Sequence, residues 1–260
     1  MNRLLIIDGM NLVRRLYAAQ PDEQDLAGLA QRTLNACHKL CAYHHPSHLA
    51  IVWDGEQESW RKKLYGDYKK GRKPMPPLLA QYLPQLKQAL ATAGMLSVNA
   101  DAEADDVIAT LACKVCQHAG EAIIVSTDKG FFQLQFKGLQ QWDHFAQRWM
   151  DVASLEQKLG INRQQLLDFI ALSGDSGNRI PGIPGIGPKS AAELLKSFRS
   201  LANIYHALDT LGHKQAEKLR SGYDMARLSY RLAKLQTDMT LNLNLSDYRW
   251  QPKEATAEPS

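Results

Sequence analysis

Leu4-Leu5-Ile6-Ile7-Asp8 is a run of four apolar residues closed by a carboxylate. A short continuous run of this kind, without alternation, suits a strand buried on both faces of a parallel sheet. The pattern recurs. Leu49-Ala50-Ile51-Val52-Trp53 is followed by Asp54, and Ala122-Ile123-Ile124-Val125-Ser126 is followed, two residues on, by Asp128. A weaker run, Met95-Leu96-Ser97-Val98, lies between them. The stretches at about 24–45, 78–93 and 103–118 are helix-length and amphipathic. Strands alternating with helices predict an α/β fold, with a mostly parallel central sheet flanked by helices, over residues 1–153. From about residue 154 the pattern becomes helical, at 155–159, 163–172, 189–198, 201–208 and 223–235, and a helical second region over 154–250 is expected. Residues 251–260 have no apolar periodicity and are expected to form a disordered tail. Pro74-Met75-Pro76-Pro77 breaks any helix there, so residues at about 60–80 are expected to form a loop or arch.

The 260 residues are 45% hydrophobic and 22% charged, which excludes a disordered, collagenous or disulfide-rich chain. No apolar run approaches the about 18 residues of a membrane span. The net charge of +4 is unevenly placed. Arg61, Lys62, Lys63, Lys69, Lys70, Arg72 and Lys73 stand against Asp67 alone, a local +6 that leaves −2 for the rest of the chain. Such a concentration suits an anion-binding patch. Cys37-x-x-x-Cys41 with Cys113-x-x-Cys116 invites a zinc reading, but both pairs have helical spacing inside apolar-periodic stretches and read better as core thiols. The apolar start stops at Asp8, short of a signal-peptide core, so reduced thiols in a cytoplasm are expected.

In open parallel sheets, ligands bind beyond the carboxyl ends of the strands. Asp8, Asp54 and Asp128 fall there, and Asp101-Ala102-Glu103-Ala104-Asp105-Asp106 opens the helix after the weak strand. Taken singly, each acid is an ordinary cap or surface charge, and three acids in a first helical turn complement the helix dipole. Taken together, strand ends converge on one edge, and so many carboxylates repel one another unless cations neutralise them. Oxygen ligands without His or Cys point to Mg²⁺ or Mn²⁺ rather than zinc. A carboxylate-bound Mg²⁺ beside a basic patch is what phosphodiester hydrolysis requires.

Gly182-Ile183-Pro184-Gly185-Ile186-Gly187-Pro188-Lys189-Ser190 nearly matches a nucleotide P-loop, but Pro188 separates Gly187 from Lys189 and no strand precedes it. It reads instead as a glycine hairpin between two helices, with Pro188 at a helix start and exposed amides able to grip a phosphate. A bland loop is the alternative.

These motifs resemble the 5′ nucleases, or flap endonucleases, a family that includes the 5′ nuclease domain of bacterial DNA polymerase I. The resemblance runs from about residue 4 to 235. It rests on Ile6-Ile7-Asp8-Gly9, Trp53-Asp54, Tyr68-Lys69-Lys70-Gly71-Arg72-Lys73-Pro74-Met75-Pro76, Glu103-Ala104-Asp105-Asp106-Val107-Ile108, Ser126-Thr127-Asp128-Lys129 and the glycine hairpin, in that order. A free-standing chain of this size is most similar to the stand-alone bacterial members. The resemblance implies a PIN-like 5′ nuclease fold with a helix–hairpin–helix at about 180–200. Asp8, Asp54, Glu103, Asp105, Asp106 and Asp128 would match the acids of a first metal cluster, with Asp105 a direct ligand. Tyr68, Lys69 and Arg72 would match arch residues that contact the scissile nucleotide and its phosphate, and Arg15 and Lys129 further basic residues nearby. Asp175 would match the remaining acid of a second metal group, whose other acids are replaced here by Gly130 and Asn178. Backbone carbonyls of Leu172, Ser173, Pro181, Ile183 and Ile186 would bind K⁺, and Gly185, Ile186, Gly187, Pro188, Lys189 and Ser190 would face duplex DNA.

The leading expectation is a Mg²⁺-dependent, structure-specific 5′ nuclease acting on flaps or free 5′ ends of DNA, a cytoplasmic monomer without a membrane partner. A DNA-structure-binding protein, its catalysis impaired by the depleted second metal site, is the alternative. A small-molecule phosphatase with Asp8 as nucleophile would need an acid at residue 10, where Met10 stands.

Overall fold

The apolar run at the start of the chain becomes the middle of the sheet. In the computed structural model, which describes residues 2–251, the chain forms β1 (Arg3–Asp8), α1 (Gly9–Ala19), α2 (Leu26–His44), β2 (His48–Trp53), α3 (Trp60–Leu64), α4 (Pro77–Thr92) and β3 (Ser97–Asn99). It continues through α5 (Ala104–Gln117), β4 (Glu121–Val125), β5 (Leu139–Asp143) and β6 (Arg148–Trp149). The strands lie in the order β3-β2-β1-β4-β5-β6, parallel throughout except for the antiparallel β5–β6 pair. All of β2, and all of β1 beyond Arg3, is buried, as unbroken apolar strands between two helical layers require.

Leu5, Ile7, Ile51, Trp53, Ile123 and Val125 face α1, α2 and α4 on one side of the sheet. Leu4, Ile6, Ala50, Val52, Ala122 and Ile124 face α5 on the other. The two cysteine pairs are divided between these cores, which disposes of a shared zinc site. Burial pushes the Cys41 and Cys113 thiols up to about 12, as apolar surroundings do to a core thiol.

Several elements went unexpected, among them the short α3 inside the expected loop and the two-residue β6. α1 follows β1 with no linker, because the Asp8 carboxylate caps it by accepting the Asn11 amide at 3.0 Å. β5 contains Gln140 and Gln141, so no apolar run marks it. Gln141 is nevertheless buried, donating to the Ser126 and Asp128 carbonyls at 2.7 Å each.

The helical region comprises α6 (Val152–Leu159), α7 (Leu166–Ser173), α8 (Pro188–Phe198), α9 (Leu201–His206), α10 (His213–Ser221) and α11 (Tyr223–Ala233). Its own core joins Phe169, Leu172, Ile183, Ile186, Leu195 and Leu219 to Phe132 from the sheet side. α10 is also unexpected, since it buries only Ala216 and Leu219. Beyond Ala233 the chain leaves this region and returns to the α/β layer. Leu235 is buried beside α5, Met239, Leu241, Leu245 and Tyr248 pack on the same core, and Trp250 reaches the opposite one. The expected 154–250 unit therefore closes earlier in space than in sequence. The expected tail, apart from the exposed Gln251, lies outside the described residues.

Arg61, at the base of the basic run, ties three of these pieces together. Its guanidinium, 2% exposed, forks onto both oxygens of Asp106 at 2.8 Å and reaches Glu103 at 2.7 Å. It also donates to the Leu232 and Lys234 carbonyls at 2.8 Å. Asp106 accepts further bonds from the Trp60 indole at 3.0 Å and the Gln236 amide at 2.9 Å. Asp106 is thus a buried counter-ion for Arg61. Truncating one partner of such a pair strands the other charge in the interior, at a cost of about 3–5 kcal/mol. Arg61→Ala is expected to lose stability in that range in urea unfolding; a loss below about 1 kcal/mol would show that the carbonyl and carboxylate contacts hold little of the structure.

Candidate active site

Asp8, Asp54, Asp105 and Asp128 line one open cavity of about 370 Å³, with Arg14, Arg15, Lys69, Arg72 and Lys73 also on its wall. The parallel strands bring three of them to one edge, and the first turn of α5 supplies Asp105. Three of these acids cap or anchor the chain that follows them, and all four line the one cavity. Asp8 caps α1 and also accepts the Ser126 hydroxyl at 2.9 Å. One oxygen of Asp54 accepts the Ala104 amide at 2.8 Å, fixing the start of α5. One oxygen of Asp128 accepts the Gly130 amide at 2.6 Å and caps the 3₁₀ turn Lys129–Gln133. The backbone bonds aim the carboxylates and leave further oxygen lone pairs toward the cavity.

The electrostatics register the crowding. Burial pushes the Asp8 carboxyl up to about 6; the Asn11 amide and Ser126 hydroxyl pull it down, and Asp54 and Asp128 push it further up. Burial also lifts Asp105 well above the usual carboxylate range, the Lys69 ammonium opposing and Asp128, Asp8 and Asp54 adding to the rise. A cation among these groups would relieve their repulsion. Among the described residues no three His, Cys, Asp or Glu side chains close on an ion by themselves. Mg²⁺ keeps most of its waters and takes one or two carboxylates, so an open, acid-lined cavity of hard oxygens fits it.

Two other expected members of the cluster are engaged by cations and do not line this cavity. Asp106 pairs with Arg61, as described above. Glu103 is drawn into the arch: it accepts from Arg61, from the Tyr68 hydroxyl at 3.2 Å and from the Lys69 ammonium. These cations hold its carboxyl below its ordinary value despite burial. Lys69 also lies 3.6 Å from Asp105, and it adopts a left-handed φ of +53°. Burial would lower the Lys69 ammonium, but Asp105 and Glu103 more than reverse that and keep it charged.

The other expected residues are distributed around this centre. The Arg15 guanidinium lies 4.0 Å over the Phe145 ring. Lys129, Gly130, Asp175 and Asn178 line an adjoining cavity of about 320 Å³ that also reaches Asp105 and Asp128. Each Asp175 oxygen accepts one bond, from the Gly177 amide at 2.9 Å and from the Asn178 side chain at 2.7 Å. In the linker from α7 to α8, Gly182 and Gly185 take φ of +66° and +79°, which let the backbone turn tightly before Pro188 opens α8. Ile183 donates to the Leu172 carbonyl at 2.8 Å and accepts from Ile186 at 3.0 Å. Gly187, Lys189 and Ser190 lie at the start of α8, where no side chain caps the amides.

Four contributors were not anticipated. Ser126 and Asn11 brace the acids, Asn11 donating to the Thr127 hydroxyl at 3.0 Å. Arg14 ties α1 to the arch through the Lys73 and Pro74 carbonyls at 3.0 and 3.2 Å. Arg61 anchors Glu103. Ser126 sits inside a motif already singled out, two residues before Asp128, and Asn11 lies just beyond another, three residues after Asp8; the roles of Arg14 and Arg61 depend on tertiary contacts.

A family described as "5'-3' exonuclease, N-terminal resolvase-like domain" matches residues 3–160, and one described as "5'-3' exonuclease, C-terminal SAM fold" matches residues 161–256. The flap endonuclease Xni of Shewanella amazonensis is 66% identical over 97% of this chain and 100% of its own length. That of Shewanella putrefaciens is 64% identical over 96% of this chain and 95% of its own. Among solved structures, the zinc-bound 5′-exonuclease of T5 has a TM-score of 0.75 at 21% identity, covering 91% of this chain and 90% of that one. The catalytic core of Rad2 in complex with DNA substrate has a TM-score of 0.56 at 15% identity, covering 95% and 84%. Both are likenesses of fold.

A ligand that binds only the folded state stabilises it. Millimolar Mg²⁺ is therefore expected to raise the melting temperature, by about 2–4 °C for each kcal/mol of binding. Asp105→Asn is expected to lose most of that shift while melting no lower than the wild type in metal-free buffer, since it removes a repelling charge. An undiminished Mg²⁺ shift in this variant would take Asp105 out of the ligand set.

Proposed function

This chain belongs to the 5′-3′ exonuclease family, and from that membership and the acid-lined cavity beneath its arch we propose a Mg²⁺-dependent 5′ flap endonuclease and 5′-3′ exonuclease acting on branched DNA. The observation that carries the reading is the meeting of Asp8, Asp54, Asp105 and Asp128 with the Lys69 ammonium in one cavity.

Bound there, Mg²⁺ would lower the pKa of a water for attack on phosphorus and neutralise the departing oxygen. Asp8, Asp54, Asp105 and Asp128 are the residues that would hold it. Glu103, fastened to Arg61, holds Lys69 and Tyr68 beside the acids, so a phosphodiester drawn to the cavity meets a cation already in place. Arg72, Lys73, Arg14 and Arg15 add positive charge along the path of the strand, and Lys129 does so in the adjoining cavity. Contacts of this kind position phosphates without reading bases, in keeping with a choice made on DNA shape.

Within a PIN-like nuclease fold, α7, the glycine linker and α8 would act as a helix–hairpin–helix. The amides of Gly185, Gly187, Lys189 and Ser190 would grip a phosphate of the duplex, with Pro188 and Ile186 shaping the turn. K⁺ would sit on the carbonyls of Leu172, Ser173, Pro181, Ile183 and Ile186; Leu172 and Ile183 each accept one amide and keep a second lone pair. In this division of labour, residues 1–153 with the returning segment cleave, and the helices grip the duplex. The chain would work as a monomer in the cytoplasm. Its four cysteines are free, and no helix among the described residues is long and apolar enough to cross a membrane. The rival reading, DNA binding with impaired catalysis, draws on Gly130 and Asn178, which bring no carboxylate to the adjoining cavity beside Asp175.

A 5′-flap duplex incubated with and without Mg²⁺ separates the two. Product near the flap junction, dependent on metal, is expected; tight binding without product at high enzyme and metal would favour the rival. Asp105→Ala should abolish cleavage while keeping flap affinity within a few-fold, and Lys69→Ala should slow it by about 10²–10³. For the hairpin, duplex affinity at equal ionic strength should be higher in K⁺ than in Na⁺. Gly185→Val, which strains a φ of +79° and crowds Lys218, should erase that preference. Equal affinity in both salts would leave an amide-only grip.

A further inference from the structure

Asn178 stands between an anion and a cation. Its Nδ2 donates to Asp175 Oδ2 at 2.7 Å, and its Oδ1 accepts from Arg72 Nη2 at 2.6 Å. Only this orientation of the amide satisfies both neighbours: reversed, it would set an oxygen against the carboxylate and an NH₂ against the guanidinium. Its backbone carbonyl accepts the Lys69 amide at 2.9 Å. The linker from α7 to α8 therefore holds the arch at both ends of one turn. Within that turn Lys69 has a φ of +53° and Gly71 a φ of +81°, and the Arg72 amide closes back on the Lys69 carbonyl at 3.3 Å. A lysine keeps a left-handed backbone only where its surroundings hold it there.

We infer that Asn178 is a positioning residue for cleavage, latching the turn that carries Lys69 and Arg72 so that both cations face the acid cavity, with Asp175 orienting the Asn178 amide. This rests on the proposed nuclease reading, because Lys69 and Arg72 share the cavity of Asp8, Asp54, Asp105 and Asp128. It gives Asp175 a role that needs no second metal. It also explains why an amide suits position 178: a carboxylate there would face Asp175, and an alkyl side chain would release Arg72.

The test is single-turnover cleavage of a 5′-flap duplex by the wild type, Asn178→Ala, Arg72→Ala and the double variant, all saturated with Mg²⁺. Asn178→Ala should slow the cleavage step about tenfold, the effect of losing one hydrogen bond to a charged group, with flap Kd within about twofold of the wild type. In the Arg72→Ala background it should cost less than about twofold, because the residue it acts through is gone. A rate within twofold of the wild type, or effects that multiply in the double variant, would overturn the latch. Amide hydrogen exchange over residues 65–74, without DNA, decides the point independently of catalysis. Faster exchange in Asn178→Ala supports the latch and unchanged exchange overturns it. If the wild type cleaves nothing, the nuclease reading fails while the exchange result still stands.

Discussion

Four aspartates at the carboxyl edge of one parallel sheet repel one another, and the neighbouring structure is arranged to tolerate that. Burial and mutual repulsion raise Asp8 and Asp105 above ordinary carboxylates. The compensation comes in layers. Backbone amides at Asn11, Ala104 and Gly130 each bond one acid, so that three of the four are also caps or anchors of the chain that follows them. Lys69 brings a cation from the arch. The two neighbouring acids, Glu103 and Asp106, are matched against Arg61 and so add little to the field of the cluster.

The segment from Arg61 to Pro74 is therefore an electrostatic component of the site. A bare loop with left-handed residues at Lys69 and Gly71 would sample many shapes. Three tethers narrow that choice: Arg61 at its base, Asn178 at its turn and Arg14 at its exit. The tethers belong to α3, to the linker after α7 and to α1, so the arch links the sheet to the helical region. A strand of DNA passing beneath it would meet cations whose positions are already restrained, which lowers the ordering cost of binding.

Much of this was legible in the sequence because parallel strands have a simple signature. The unbroken apolar runs at β1, β2 and β4 gave the sheet, and their terminal aspartates gave three of the four cavity acids. The motif resemblance groups the α5 acids, and no periodic signal shows which partner each takes: consecutive helical residues point about 100° apart, Asp105 lining the cavity while Asp106 meets Arg61. β5 escaped notice because its glutamines bond to backbone rather than pack as apolar residues. The return of residues 234–251 to the sheet left no periodic trace, since it is set by scattered contacts at Leu235, Met239, Leu245 and Trp250.

The basic run shows most plainly what a charge count conceals. Read as a sequence it is one patch of +6. In the fold its members have different roles. Arg61 is buried and matched to two carboxylates, and Lys70 pairs with Asp67 at 2.8 Å on the surface. Lys69 reaches the acids, and Arg72 is held by Asn178 on the cavity wall. An exposed pair such as Lys70–Asp67 contributes little and is screened by salt, whereas the Arg61 pairs are shielded from it. Salt should therefore weaken DNA contacts made by the exposed members of the run without loosening the base of the arch. The same stretch of sequence can then carry a salt-sensitive grip on phosphate and a salt-resistant support for the residues that act on it.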